Sequence, residues 1–256
     1  MSRGSDPTDP VFAEAWTYES IVSALPGTKF SMGTAVALQV AIFEGGLLVL
    51  AAAYDLWNAV PAGTAAVVVA AAGSYLMTSI AASNRTVVMP DRYYRLLFGS
   101  SIEVVLAVLA FSALVTHLFV FDPLHAGTEL PAARLLPFAV DPAPTPLVTT
   151  LFGTEPPVPA VFFALLVLWD LCYRIGTSWW AAVVSIYREL RLGPTGESAV
   201  TFRRIEWFNV AFAVVQLALV PVVLDRPVLL LVVSGHVLAV TTASVTAIAL
   251  SIRRER

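Results

Sequence analysis

The sequence predicts an all-α membrane protein, a bundle of about six transmembrane helices, and three observations carry that prediction. Apolar residues make up 58% of the chain and charged residues 13%, against roughly 45–50% and about 25% in a soluble domain. The apolar residues gather in six runs between residues 33 and 251, each about 18 to 25 residues long, enough to cross about 30 Å at 1.5 Å per residue. Basic residues concentrate in alternate connections between those runs, as the positive-inside rule requires of a multi-pass chain. With mean hydropathy of +0.80 and no soluble block large enough for its own core, the chain reads as one membrane domain.

Residues 1–32 form a segment before the first span. Asp9-Pro10 supplies an N-cap and a proline at the first helical position, and Val11, Phe12, Ala15, Ile21, Val22 and Leu25 recur at helical spacing until Pro26-Gly27. This predicts an amphipathic helix lying at the inner membrane surface or against the bundle. The segment carries Asp6, Asp9, Glu14 and Glu19. It lacks a basic region followed by a short apolar run and cleavage site, so no cleavable signal peptide is expected.

The spans are placed at 33–54, 61–82, 101–121, 158–181, 206–224 and 228–251, within a transmembrane domain of 33–252. Arg85, Arg92 and Arg95 lie between spans two and three, Arg188, Arg191, Arg203 and Arg204 between four and five, and Arg253, Arg254 and Arg256 in a basic tail, 253–256. The opposite loops hold Arg134 and Arg226, together with Asp55, Asp122, Glu129, Asp141, Glu155 and Asp225. The sorting predicts a cell-membrane protein with both termini cytoplasmic. Trp179, Trp180, Tyr187 and Trp207 fall at the inner boundary and Tyr54 and Trp57 at the outer one, where amphipathic rings settle. The external loop, 122–157, contains eight prolines from Pro123 to Pro157, which deny it regular backbone pairing and any path through lipid. Its Glu129–Phe138 stretch suits a short interfacial segment.

Ionisable groups at bilayer depth are costly and mark candidate sites, here for a substrate or ion. Glu44 lies near the middle of span one beside a seam of Gly33, Ala37, Ala41 and Gly45, spaced for close helix contact. It suits a proton or cation site, or a carboxylic acid donating to a neighbouring backbone. Asp170 and Arg174, four apart on one face of span four, can form an intrahelical ion pair, structural or anchoring a substrate. His236 in span six and Gln216 in span five, with Asn209 nearer the inner surface, complete a polar layer near the midplane. Glu103 and Glu206 each follow an isoleucine at the start of an odd-numbered span, where an acid offsets the helix dipole. His117, Asp122 and His125 share the outer end of span three and are of types that bind divalent metals. Their loop setting selects no ion, and neither a metal site nor a cofactor is assigned.

Several classes are excluded. Lys29 is the only lysine and precedes the first span, so no retinal Schiff base can form in the bilayer. Cys172 is the only cysteine, which rules out an internal disulfide or a multi-cysteine zinc site. There is no H-E-x-x-H, Walker A or Rossmann fingerprint, and no Gly-x-Gly-Asp to accompany Tyr54-Asp55. Ser234 and His236 are about 200° apart around one helix and cannot act as nucleophile and base. No charge block suits nucleic acid.

The preference for Arg over Lys, the acidic N-terminal segment, and the stretches Leu168-Trp169-Asp170-Leu171-Cys172-Tyr173-Arg174 and Asp225-Arg226-Pro227-Val228-Leu229 resemble those of uncharacterised multi-pass membrane proteins of halophilic archaea. The resemblance implies a saline environment in which exposed charge pairs are strongly screened; it brings no activity or substrate. Two functional expectations remain. One is a small ion-coupled carrier or channel, in which Glu44, Asp170, Arg174, Gln216 and His236 should converge on one wet cavity. The other is a non-catalytic membrane-embedded assembly or scaffold subunit, whose partners are the bilayer and either further copies of itself or another membrane subunit.

Overall fold

The computed structural model describes residues 32–128 and 144–256. The amphipathic helix expected near residues 9–26 and the Glu129–Phe138 segment lie outside the described residues. Among the described residues six helical rods are long and apolar enough to cross a membrane: Gly33–Tyr54, Trp57–Arg85, Asp91–His125, Val158–Arg191, Gly196–Val223 and Pro227–Glu255. The elements in chain order are α1 (Met32–Tyr54), α2 (Val60–Arg85), α3 (Asp91–Leu97), α4 (Ile102–Thr116) running through a π turn at His117–Phe121 into α5 (Asp122–His125), then α6 (Leu147–Phe152), which lies between the third and fourth rods, α7 (Val158–Arg191), α8 (Gly196–Val215), α9 (Val220–Val223) and α10 (Pro227–Glu255). Among the described residues no strand is present.

Helix α7 is the hub, packing along α2, α4 and α10 and touching α1, α3 and α8; α10 also lies along α8, and α1 rests mainly on α2. Hydropathy alone ends span four at 181 and starts span five at 206, whereas α7 runs on to Arg191 and α8 begins at Gly196. The added turns are polar, and their charges meet one another: Arg188 on α7 pairs with Glu206 on α8. The α8 path also tightens into a 3-10 turn at Gln216–Leu219 before α9, Pro221 falling in the first turn of the latter.

These contacts define two ends of the bundle. At the basic end, Glu189 of α7 meets Arg254 of α10 and Arg203 of α8 meets Glu255. At the opposite, loop end, Arg226 meets Asp122 and the backbone of Thr145. The segment expected to be an irregular external loop contains two short helices, α5 and α6, each with proline at or just before its first turn, where the missing N–H costs nothing. The aromatic expectation needs one correction: Trp179 and Trp207 are exposed, as are Tyr54 and Trp57, but Trp180 is buried and donates from Nε1 to the Leu96 carbonyl at 3.1 Å.

The core at the basic half is built from Leu76, Met77, Ile80, Tyr93, Leu97, Phe98, Val184 and Phe202. Around it the outer faces of the rods stay apolar and exposed, among them Ile42, Val49, Leu109, Phe162, Val232 and Leu238. Such a continuous apolar exterior is costly in water and matched by hydrocarbon.

Candidate functional site

A polar track runs down α7 from mid-bundle to the basic end. Asp170, Arg174, Thr177, Ser178, Ser185, Arg188 and Glu189 fall at separations that keep them within about a third of the helix circumference at 3.6 residues per turn, so they line one face, and all are buried. At its upper end Arg174 holds Asp170 through two contacts, Nη2 to Oδ1 at 2.7 Å and Nε to Oδ2 at 3.2 Å. Gln39 of α1 donates from Nε2 to Asp170 Oδ2 at 2.7 Å. Ser74 of α2 donates to Gln39 Oε1, and Arg174 Nη1 reaches Met77 Sδ at 3.3 Å. Three helices are thereby joined through one carboxylate. Gly73 makes room for this crossing: a Cβ there would lie 2.7 Å from Arg174 Cδ and 2.8 Å from its Cβ.

Lower on the track, Ser178 donates to Asn209 Oδ1 at 2.6 Å, and Asn209 Nδ2 reaches Ser244 Oγ at 3.2 Å, joining α7, α8 and α10. At the basic end Arg188 reaches Glu189 at 3.0 Å and Glu206 at 3.1 Å while its guanidinium lies 4.0 Å over the Phe202 ring. Arg254 completes the cluster at 2.9 Å from Glu189. Two arginines, Arg188 buried and Arg254 at the surface, face two buried glutamates, so the charges of this cluster balance. Tyr93 packs edge-on to Phe202 and donates to Asn84 Oδ1 at 3.0 Å, docking α3 onto the end of α2.

The five residues expected from the sequence do not meet. Asp170 and Arg174 form the intrahelical pair just described. Glu44 is half-buried and accepts from Thr64 Oγ1 at 2.8 Å, a contact between α1 and α2 only. Gln216 is 1% exposed, with its Nε2 unpartnered among the described residues, and the His236 Nε2 is likewise unpartnered. None of the five lines the apolar cavity described below, and the contacts of Glu44 and of the Asp170–Arg174 pair are separate ones. The α1 seam is also shifted. The small residue that meets a neighbour is Gly46, where a Cβ would lie 2.6 Å from the Phe163 ring, while Gly45 has open space. The inward stripe of α1 is therefore Gln39, Phe43 and Gly46, and Phe43 packs edge-on to Phe163.

Sequence reasoning missed Gln39 and Ser74, which carry no charge, and the partnership of Arg188 with Glu206, since arginine near a span end reads as solvated. The visible signal for the latter was the set of polar residues that share Asp170's face of α7, Arg174, Thr177, Ser178, Ser185 and Arg188.

At the loop end Asp122, Arg226, Thr145 and Thr150 form a clasp. Arg226 is 4% exposed; its Nη1 lies 3.3 Å from Asp122 Oδ1 and donates to the Thr145 carbonyl at 2.6 Å. The other Asp122 oxygen accepts the Leu147 backbone N–H at 2.6 Å, fixing the first turn of α6. His117 and His125 both stack on Phe121, and His125 Nδ1 lies 2.9 Å from the Phe121 carbonyl. Among the described residues no group of three His, Cys, Asp or Glu side chains is placed to hold a metal.

Beneath α6 lies a cavity of about 300 Å³, bounded by the loop-end halves of all six rods and by Leu147, Val148, Leu151 and Phe152 of α6. Its lining is wholly apolar apart from Cys172. Left unfilled, it deprives the side chains that line it of contacts on their open side.

The sequence matches the model of a family of unknown function (DUF7530) over residues 11–137 and 132–247. The chain belongs to this family. No curated protein matches it, and no solved structure does. Membership therefore agrees with a multi-pass architecture of six apolar rods and assigns no activity to the track, the clasp or the cavity.

Proposed function

We propose that this family member is a non-catalytic membrane subunit of the cell membrane, both termini cytoplasmic, that assembles with a second copy of itself through α1. The observation supporting this reading is a face of α1 that no described helix covers. Gly33, Ala37 and Ala41 are exposed, and a Cβ at Gly45 would meet nothing within 4 Å. Small residues at this spacing let backbones approach closely in lipid, and a two-fold contact sets such a seam against its own copy. The ion pairs of Arg174 with Asp170 and of Arg188 with Glu189 and Glu206 agree, because each fixes packing within the chain.

The test is cross-linking in native membranes from a Cys172→Ala background. Cysteine at Ala37 or Ala41 should give an intermolecular cross-link, cysteine at Phe43 should not, and Ala41→Leu with Gly45→Leu should halve the mass measured by light scattering. A monomeric wild-type protein with no cross-link at either seam position would refute the reading.

A second reading, an ion-coupled carrier, is supported by the way Gln39 and Arg174 both depend on Asp170: a proton or cation at that carboxylate would release α1 and α7 from each other. It requires ion or proton flux in proteoliposomes at high salt that is lost in Asp170→Asn, with Glu44→Gln and His236→Ala locating the path. Folded protein with no flux above empty liposomes would eliminate it.

A further inference from the structure

We propose that the apolar cavity under α6 is a binding site for one hydrocarbon chain of a lipid of the surrounding bilayer. The proposal stands independently of how the protein assembles. A volume of about 300 Å³ is at the lower end of natural small-molecule sites and about twice that of an engineered apolar cavity that stays dry and takes benzene. Water is a poor occupant, because each molecule needs two to four polar partners and Cys172 is the only polarisable group in the lining. A polar ligand fails for the same reason: its hydrogen-bonding groups would be buried unsatisfied.

The shape favours a chain over a compact molecule. Lining residues on α7 extend from Ala160 to Ile175, about 22 Å along the axis at 1.5 Å per residue. That exceeds the roughly 15 Å half-thickness of a bilayer core. The lining also reaches the exterior. Phe119, on the π turn that follows α4, and Val232 on α10 both border the cavity and are exposed, so it opens sideways through apolar side chains into lipid. The π turn at His117–Phe121 displaces Leu118 and Phe119 from ordinary helical register at this opening, and such turns often mark functional sites in helices. α6 closes the loop end, with the Asp122–Arg226 clasp holding its first residue in place.

Reconstitution of the full chain into phosphatidylcholine vesicles containing a phosphatidylcholine with a diazirine on one acyl chain tests this. After photolysis and digestion, label is expected on cavity-lining residues, at Leu151, Phe163, Ala164, Val167, Leu229 or Val233, in addition to the exterior belt. Ala110→Trp or Ala164→Trp, each filling the cavity, should lower cavity label about tenfold, the equivalent of one decade in affinity. Ala52→Trp, on an exposed position outside the cavity, should leave it unchanged. Wild-type label confined to the exterior belt overturns the proposal, as does cavity label that persists in both folded tryptophan variants. The wild-type map decides the matter even where a filled variant fails to fold.

Discussion

Arg188 is 2% exposed and bridges carboxylates from two helices, Glu189 beside it on α7 and Glu206 on α8. Removing one partner of a buried pair leaves the other uncompensated, which costs about 3–5 kcal/mol. Arg188→Met should therefore lower the detergent melting midpoint strongly, by more than any substitution on the exposed apolar belt. Arg188→Lys should recover little, because one compact ammonium cannot reproduce a guanidinium that offers Nε to one acid and Nη2 to the other. A lysine variant melting with wild type would show that charge alone, without the planar fork, is what the site needs. The residue was legible in the sequence as an arginine but not as a buried one. Its nearest carboxylate in sequence is adjacent, yet the partner that joins two helices is eighteen positions away, and only the α7–α8 packing brings it close.

At the scale of elements, the six rods were legible because lipid imposes a single rule, an apolar run of crossing length. Four of the six runs begin and end within a few residues of their helices, and the two larger departures share one cause. α7 and α8 each continue about ten residues beyond hydropathy's limit because Ser185, Arg188, Glu189 and Glu206 are satisfied by one another and by the backbone. Hydropathy scores each polar residue as if it faced lipid or water alone. The same blindness hid α6, an apolar six-residue helix among prolines, whose position depends on Asp122 accepting its first N–H across twenty-five residues. On α1 the sequence marks the seam Gly33, Ala37, Ala41 and Gly45, and the face packed against the bundle is the neighbouring stripe of Gln39, Phe43 and Gly46. Gly45 and Gly46 are equally small, and only Phe163 distinguishes them.

For the whole molecule, the division of labour between the two ends bears on orientation. The basic end gathers arginines from the ends of α2, α7 and α10 and the starts of α3 and α8, and although Arg188, Arg203 and Arg254 pair with internal carboxylates, Arg191, Arg204, Arg253 and Arg256 remain on exposed or half-buried positions. At the loop end the described arginine, Arg226, is buried and neutralised by Asp122, so it adds little cationic surface there. Because retention follows arginine and lysine near the span ends, the asymmetry is sharper in three dimensions than a count along the chain suggests, and it supports the proposed orientation with the basic end in the cytoplasm. In a Cys172→Ala background, cysteine at Asn58, exposed at the loop end, should react with a membrane-impermeant maleimide on intact cells. Cysteine at Thr195, exposed in the α7–α8 connection, should react only after lysis. The reverse pattern would put the Arg188 cluster outside and the α6 clasp inside; it would also move the proposed hydrocarbon site to the inner leaflet while leaving its lining and its sideways opening intact.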